Sequence, residues 1–187
     1  SLAAIGAAFV LAQLKAQELG VGIVLLTLLF YGIESPNHVR DWAEHNYSGL
    51  ESRAKYDVFK DLVLPLRGTP GRLANDLHKA NEQLGSSRIF ELAPHLIGNP
   101  VVEGGIVSSA ACSIFSYYVQ GESSRASAGF PNIVKPATFN ITNATAHLEL
   151  LNVKHFIARH GRTKLAMAES ENWKHLATSH EWQLYEL

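Results

Sequence analysis

Cysteine is nearly absent from this sequence. Cys112 stands alone, which excludes an intrachain disulfide and any zinc site built on thiolates. Charge is also thin: Asp, Glu, Lys and Arg make up 18% of the 187 residues, against about 25% in an ordinary soluble domain. Mean hydropathy is 0.00. The shortage is concentrated in residues 1–33, which carry only Lys15 and Glu18. A net charge of −1 argues against nucleic acid, which requires a basic face. Several catalytic signatures are missing too. There is no HExxH, no GxSxG elbow around Ser108, Ser109 or Ser113, no GxGxxG and no P-loop. Nine histidines are present without a ligand spacing: His155 and His160 are separated by a strand end and a turn, and His175 and His180 sit on different arms of a hairpin. No metal and no cofactor is expected.

What is present begins with two apolar runs, residues 2–14 and 19–33, joined by a polar stretch at residues 15–18. Fifteen helical residues span roughly 22 Å at 1.5 Å per residue, less than a hydrocarbon core of about 30 Å. Lys15 and the interfacial Tyr31 extend that reach by snorkelling. The second run is apolar all round, which a helix packed on one face does not need. The expectation is the end of one membrane helix, a tight turn and a second membrane helix. Residues 1–33 then form a transmembrane helix or helical hairpin, and residues 34–187 a separate domain. The start at Ser1 fits a fragment of a longer chain. Local charges do not set the orientation, because Lys15 and Glu18 cancel.

Residues 34–47, with Pro36 and Trp42, read as a polar exit segment. Ser48 and Glu51 have capping-box spacing for a helix over residues 49–63, striped by Leu50, Ala54, Val58 and Leu62. Pro70 at the first helical position predicts a helix ending at Gly85, with Leu73, Leu77, Ala80 and Leu84 inward. Residues 88–92 read as a strand, followed by a loop over residues 94–100. A small-residue helix is expected over residues 106–119 and a long loop over residues 121–136. Asn143 is placed to cap a helix over residues 144–151 that Asn152 ends. A strand follows over residues 153–159, then a short helix within residues 161–170. A hairpin with arms at residues 174–178 and 182–186 closes the chain. This order describes a mixed α/β domain with a small sheet flanked by helices.

Candidate ligand-contacting residues gather around the loop at residues 94–100: Glu91, Glu103, His95, Arg72 and Arg125, with Glu122 and Arg88 nearby in the reading. Glu103 leads them, because Gly104 and Gly105 let a ligand or another backbone approach closely. Paired carboxylates would suit glycoside chemistry, but spacing alone does not bring any two to the required separation. Sequons occur at Asn46, Asn140 and Asn143.

The motif order resembles a known group. An apolar helix is followed by GTPGRL at residues 68–73, then RIFELAPHLIGNPVVEGGI at residues 88–106. HLELLNVKHFIA follows at residues 147–158, and the chain closes on WQLYEL. This is similar to the C-terminal part of polytopic membrane proteins related to 6-pyruvoyl-tetrahydropterin synthase. Those in turn resemble YfhO-like proteins and the GT-C class of lipid-linked sugar transferases. His155 stands where that pattern more usually has tyrosine. The resemblance implies a bilayer partner through residues 1–33, an extracytoplasmic position for residues 34–187, and a lipid-linked sugar or glycan nearby. It also implies the remaining helices of a parent protein as partners. It transfers no catalytic residue, because GT-C catalytic acids lie in early loops that this chain does not contain. The zinc-binding histidines that the synthase name would call for are not seen.

Three readings follow. In the first, the chain is a membrane-anchored accessory domain. In the second, it is a soluble hydrolase-like enzyme using Glu103 or Glu91, with the apolar start as a core hairpin. In the third, it is an assembly module docking through the small residues of 106–119, Ala110 and Ala111 among them.

Overall fold

The computed structural model describes residues 16–102, 113–124 and 137–187. The chain divides into two compact units, Ser1–Gly49 and Leu50–Leu187.

The described part of the first unit is one long helix, α1 (Ala16–Tyr47). It includes residues 16–18 of the expected turn, and it continues through Pro36 and the segment read as a polar exit. Ser48 closes this helix, where the capping box would have had it open the next one: its N–H donates to the Glu44 carbonyl and its Oγ to the His45 carbonyl. Among the described residues, no helix is long and apolar enough to cross a membrane.

The second unit is a mixed α/β domain. After a 3-10 turn at Leu50–Ser52 come α2 (Tyr56–Leu62), β1 (Arg72–Asn75), α3 (Ala93–Ile97), α4 (Ser113–Ser123) and α5 (Ile141–Leu150). Then follow β2 (Val153–Ala158), α6 (Gly161–Ala168), β3 (Lys174–Ser179) and β4 (Trp182–Glu186). The strands form a sheet in the order β1-β2-β4-β3. β1 runs parallel to β2, whereas β4 is antiparallel to both of its neighbours. The outer edge of β1 is partly covered by residues 100–102 through Leu73 N–H to Pro100 O and Val102 N–H to Leu73 O.

The sheet buries both faces, so alternate residues supply two cores. Leu73, Ile157, Trp182 and Leu184 face a core with Val58, Phe59, Leu62 and Phe90. Ala74, Phe156, Ala158 and Tyr185 face the other, with Val119, Leu148, Met167 and Trp173. Phe59 stacks on Phe90 at 5.4 Å between ring centroids.

The expected helix over residues 70–84 is replaced by β1 and a 3-10 segment, Lys79–Leu84. Gly71 at φ +84 stops a helix from starting there, and main-chain pairing with β2 captures residues 72–75. The expected strand over residues 88–92 is a 3-10 segment, Ile89–Leu92, leading into α3. Ile89 and Phe90 are consecutive yet enter one core, which a strand forbids. Pro94 lies in the first turn of α3, where proline lacks nothing the helix needs. The cap of α5 is Asn140 rather than Asn143: Asn140 Oδ1 accepts the Asn143 N–H at 3.1 Å. The helix predicted over residues 49–63 is shorter and begins at Tyr56. By contrast β2, α6 and the terminal hairpin occupy their expected places. Asn152 ends α5 in the left-handed region at φ 56.

Candidate functional site

At the amino ends of β1 and β2 the surface opens into a cleft of about 510 Å³. One wall is Gly68, Thr69, Gly71 and Arg72, and the other is Ile97, Gly98, Asn99, Pro100 and Asn152. The bends that shape it need left-handed backbone at Gly68, Gly71 and Gly98, with φ of 79, 84 and 81.

Hydrogen bonds hold the walls in place. Asn99 is 5% exposed, and its Nδ2 donates to Thr69 O at 2.8 Å and to Thr69 Oγ1 at 3.2 Å. Thr69 Oγ1 donates to Leu66 O, and Arg67 Nη2 donates to Leu96 O at 2.7 Å. Arg72 N–H donates to Asn152 O at 2.8 Å, joining the two strand starts. Gly71 admits Lys154 to the rim: a Cβ on Gly71 would lie 2.3 Å from Lys154 Cγ and 3.1 Å from Asn152 O. Among the described residues, nothing pairs with the Arg72 guanidinium or the Asn152 side-chain amide. The lining contains no acidic residue. The lining can bind through Arg72 and Asn152, and its one hydroxyl, Thr69 Oγ1, is already bonded to Leu66 O.

Three of the sequence-derived candidates, Arg72, Glu91 and His95, are among the described residues. Arg72 lines the cleft. Glu91 instead lies in an ion pair one helical turn from its own neighbour, Arg88 Nε to Glu91 Oε1 at 3.0 Å. Burial pushes its carboxyl above the ordinary value, and Arg88 works against that. His95 is exposed on α3 and is not part of the lining. Glu103 and Arg125 lie outside the described residues, as do Ala110 and Ala111. Asn152 and the glycine turns were not anticipated as site residues, although GTPGRL contained two of those glycines.

Two other polar clusters are internal. At the carboxyl ends of β1 and β2, where open α/β sheets usually take ligands, lies a buried polar cluster around Asp76. Asp76, 1% exposed, accepts the N–H groups of His160 at 2.7 Å and Arg159 at 3.4 Å on Oδ2. His78 and His160 lie beside each other, ring centroids 5.8 Å apart. Each caps the segment after it by accepting a main-chain N–H on Nδ1, from Ala80 and Arg162. Burial and the nearby Arg159 hold His78 below the ordinary histidine value, while Asp76 pulls the other way.

The second cluster joins α4 to α5. The buried Glu122 accepts from His147 Nδ1 at 2.6 Å, between the edges of Phe115 and Tyr118. A carboxylate that orients an imidazole is half of a proton-transfer device, but no described nucleophile stands with it. Among the described residues, no group of three His, Cys, Asp or Glu could hold a metal ion.

No protein-family model, curated protein or solved structure matches this chain.

Proposed function

We propose that the chain is a membrane-anchored extracytoplasmic domain of the GT-C-like type, accessory to the binding of a lipid-linked sugar or glycan and not catalytic itself. The observation that supports it is the surface of α1. Val21, Ile23, Val24, Leu25, Leu26, Leu28, Leu29, Phe30 and Tyr31 are 54% to 68% exposed. Residues 23–26 and 28–31 are consecutive, so their side chains cover every side of the helix rather than one stripe. Each large apolar side chain left in water forgoes about 1.5–3 kcal/mol of burial. A bilayer relieves all sides of such a helix at once. The proposed anchor includes the apolar run at residues 2–14 read from the sequence, which lies outside the described residues. An open polar cleft with an arginine and no acid fits an accessory binding role better than a catalytic one. The soluble-enzyme reading places Glu103 or Glu91 with an arginine and His95 in one pocket; Glu91 pairs with Arg88, His95 is not in the cleft lining, and Glu103 lies outside the described residues.

The test is flotation of the full chain with phosphatidylcholine vesicles, followed by carbonate extraction. The full chain is expected to float and resist extraction. Leu25→Lys combined with Leu28→Lys is expected to abolish this, since each lysine costs about 2.5–3.5 kcal/mol near the centre of a membrane helix. Recovery of the unaltered chain as a monomer from the aqueous phase overturns the reading.

A further inference from the structure

We infer that the cleft at the amino ends of β1 and β2 is a binding site for a phosphoryl group, with Arg72 as its main contact. This rests on the accessory-binding reading and names the chemistry of that binding. The size, charge and lining of the cleft point the same way. The cleft, at about 510 Å³, is of a size that holds a small organic ligand. Its one charged lining group is a guanidinium, whose planar fork matches phosphate oxygens. The aliphatic stem of Lys154 crosses Gly71 at the rim, its Cγ 2.3 Å from where a Gly71 Cβ would lie. The glycine turns at residues 68, 71 and 98 shape the cleft walls, and the N–H groups of Thr69, Arg72 and Gly98 are held by Leu66, Asn152 and Pro94 carbonyls, which leaves the Arg72 guanidinium as the donor for an anion.

A phosphoryl dianion suits a guanidinium in a lining without carboxylates. The walls are already held by Asn99, Thr69 and Arg67, so binding need not order them. Asn152 adds a side-chain amide that can donate to a further phosphate or hydroxyl oxygen. The phosphoryl group can belong to a free phosphate monoester or to a lipid head group, and the experiment separates these.

The full chain is held in a polyoxyethylene detergent, which has neither phosphate nor sugar, and titrated by calorimetry with phenyl phosphate and with benzoate. In parallel it is bound to phosphatidylcholine vesicles with and without phosphatidic acid. Phenyl phosphate is expected to bind at least tenfold more tightly than benzoate. Arg72→Gln is expected to lose that binding by tenfold or more, and Arg72→Lys to recover part of it. Asn152→Gly, which suits the backbone at φ 56, is expected to weaken binding severalfold without unfolding. If only phosphatidic acid shows an Arg72-dependent gain, the site reads a lipid head group. Benzoate binding as tightly as phenyl phosphate, phosphate binding indifferent to Arg72→Gln, or no binding in any arm overturns the proposal. Flotation on phosphatidylcholine alone reports the anchor, so failure of the cleft and failure of the anchor are distinguishable.

Discussion

Gly71 shows how closely single residues bound the cleft. Its φ of +84 is a region that side-chain-bearing residues avoid, and an added Cβ would meet both Lys154 and the Asn152 carbonyl. Gly71→Ala is expected to destabilise the fold by about 1–3 kcal/mol, read as a lower urea midpoint with an unchanged slope. His155 is the second informative residue. It is 5% exposed on β2, where burial lowers its affinity for a proton and Glu186 only partly offsets this. The unfolded chain therefore binds the proton first as pH falls below the ordinary histidine value. Stability is expected to be flat above about pH 7 and to drop from about pH 6.5 downward until the folded imidazole also titrates. The slope is at most about 1.4 kcal/mol per pH unit for each such group. His78 adds to this loss in the same direction. Denaturation curves across this range check it, and His155→Gln is expected to make the drop shallower. A stability that rises on acidification would contradict the assignment.

At the scale of elements, the terminal hairpin is tied to α2 at its tip. Ser179 Oγ donates to Asp61 Oδ2 at 2.9 Å, and His180 pairs with Asp57. Asp61→Ala leaves the buried Ser179 hydroxyl without its acceptor, for a loss of about 1–2 kcal/mol. Hydrogen exchange is expected to rise first in β3, the edge strand. The packing under β3 and β4 depends more heavily on Phe59, which is 1% exposed and stacked on Phe90. Phe59→Ala is expected to cost about 3–5 kcal/mol, seen in thermal or urea melts. Asn140 marks a smaller effect: Asn140→Ala removes the α5 cap for about 1 kcal/mol. The same change at Asn143 should matter little, because Asn143 contributes its main-chain N–H rather than its side chain.

Across the whole molecule, local pattern was enough where an element is defined by its own residues. The hairpin, the β2 strand and the end of α5 at Asn152 were legible because alternation, a short polar turn and a left-handed Asn are local signals. The mixed α/β class followed from the same signals. β1 was not legible: Leu73, Leu77, Ala80 and Leu84 have helical spacing, yet residues 72–75 pair with a strand about eighty positions later. The residues 88–92 failed in the opposite sense, their apparent alternation hiding two neighbours buried in one core. The cleft was half legible. Arg72 and the loop over residues 94–100, which holds Gly98 and Asn99, were read together in the sequence, while Asn152 had no signal to link it to them. What the sequence determined alone was composition, the apolar all-round helix, the exclusion of an intrachain disulfide, and the elements made by local turns. Only the tertiary structure decided that β1 is a strand, that Asp76 is buried beside the His160 N–H, and that Arg72 lines an open cleft with Asn152. Each of these depends on contacts between residues far apart in the chain, whose free energy a local pattern does not contain.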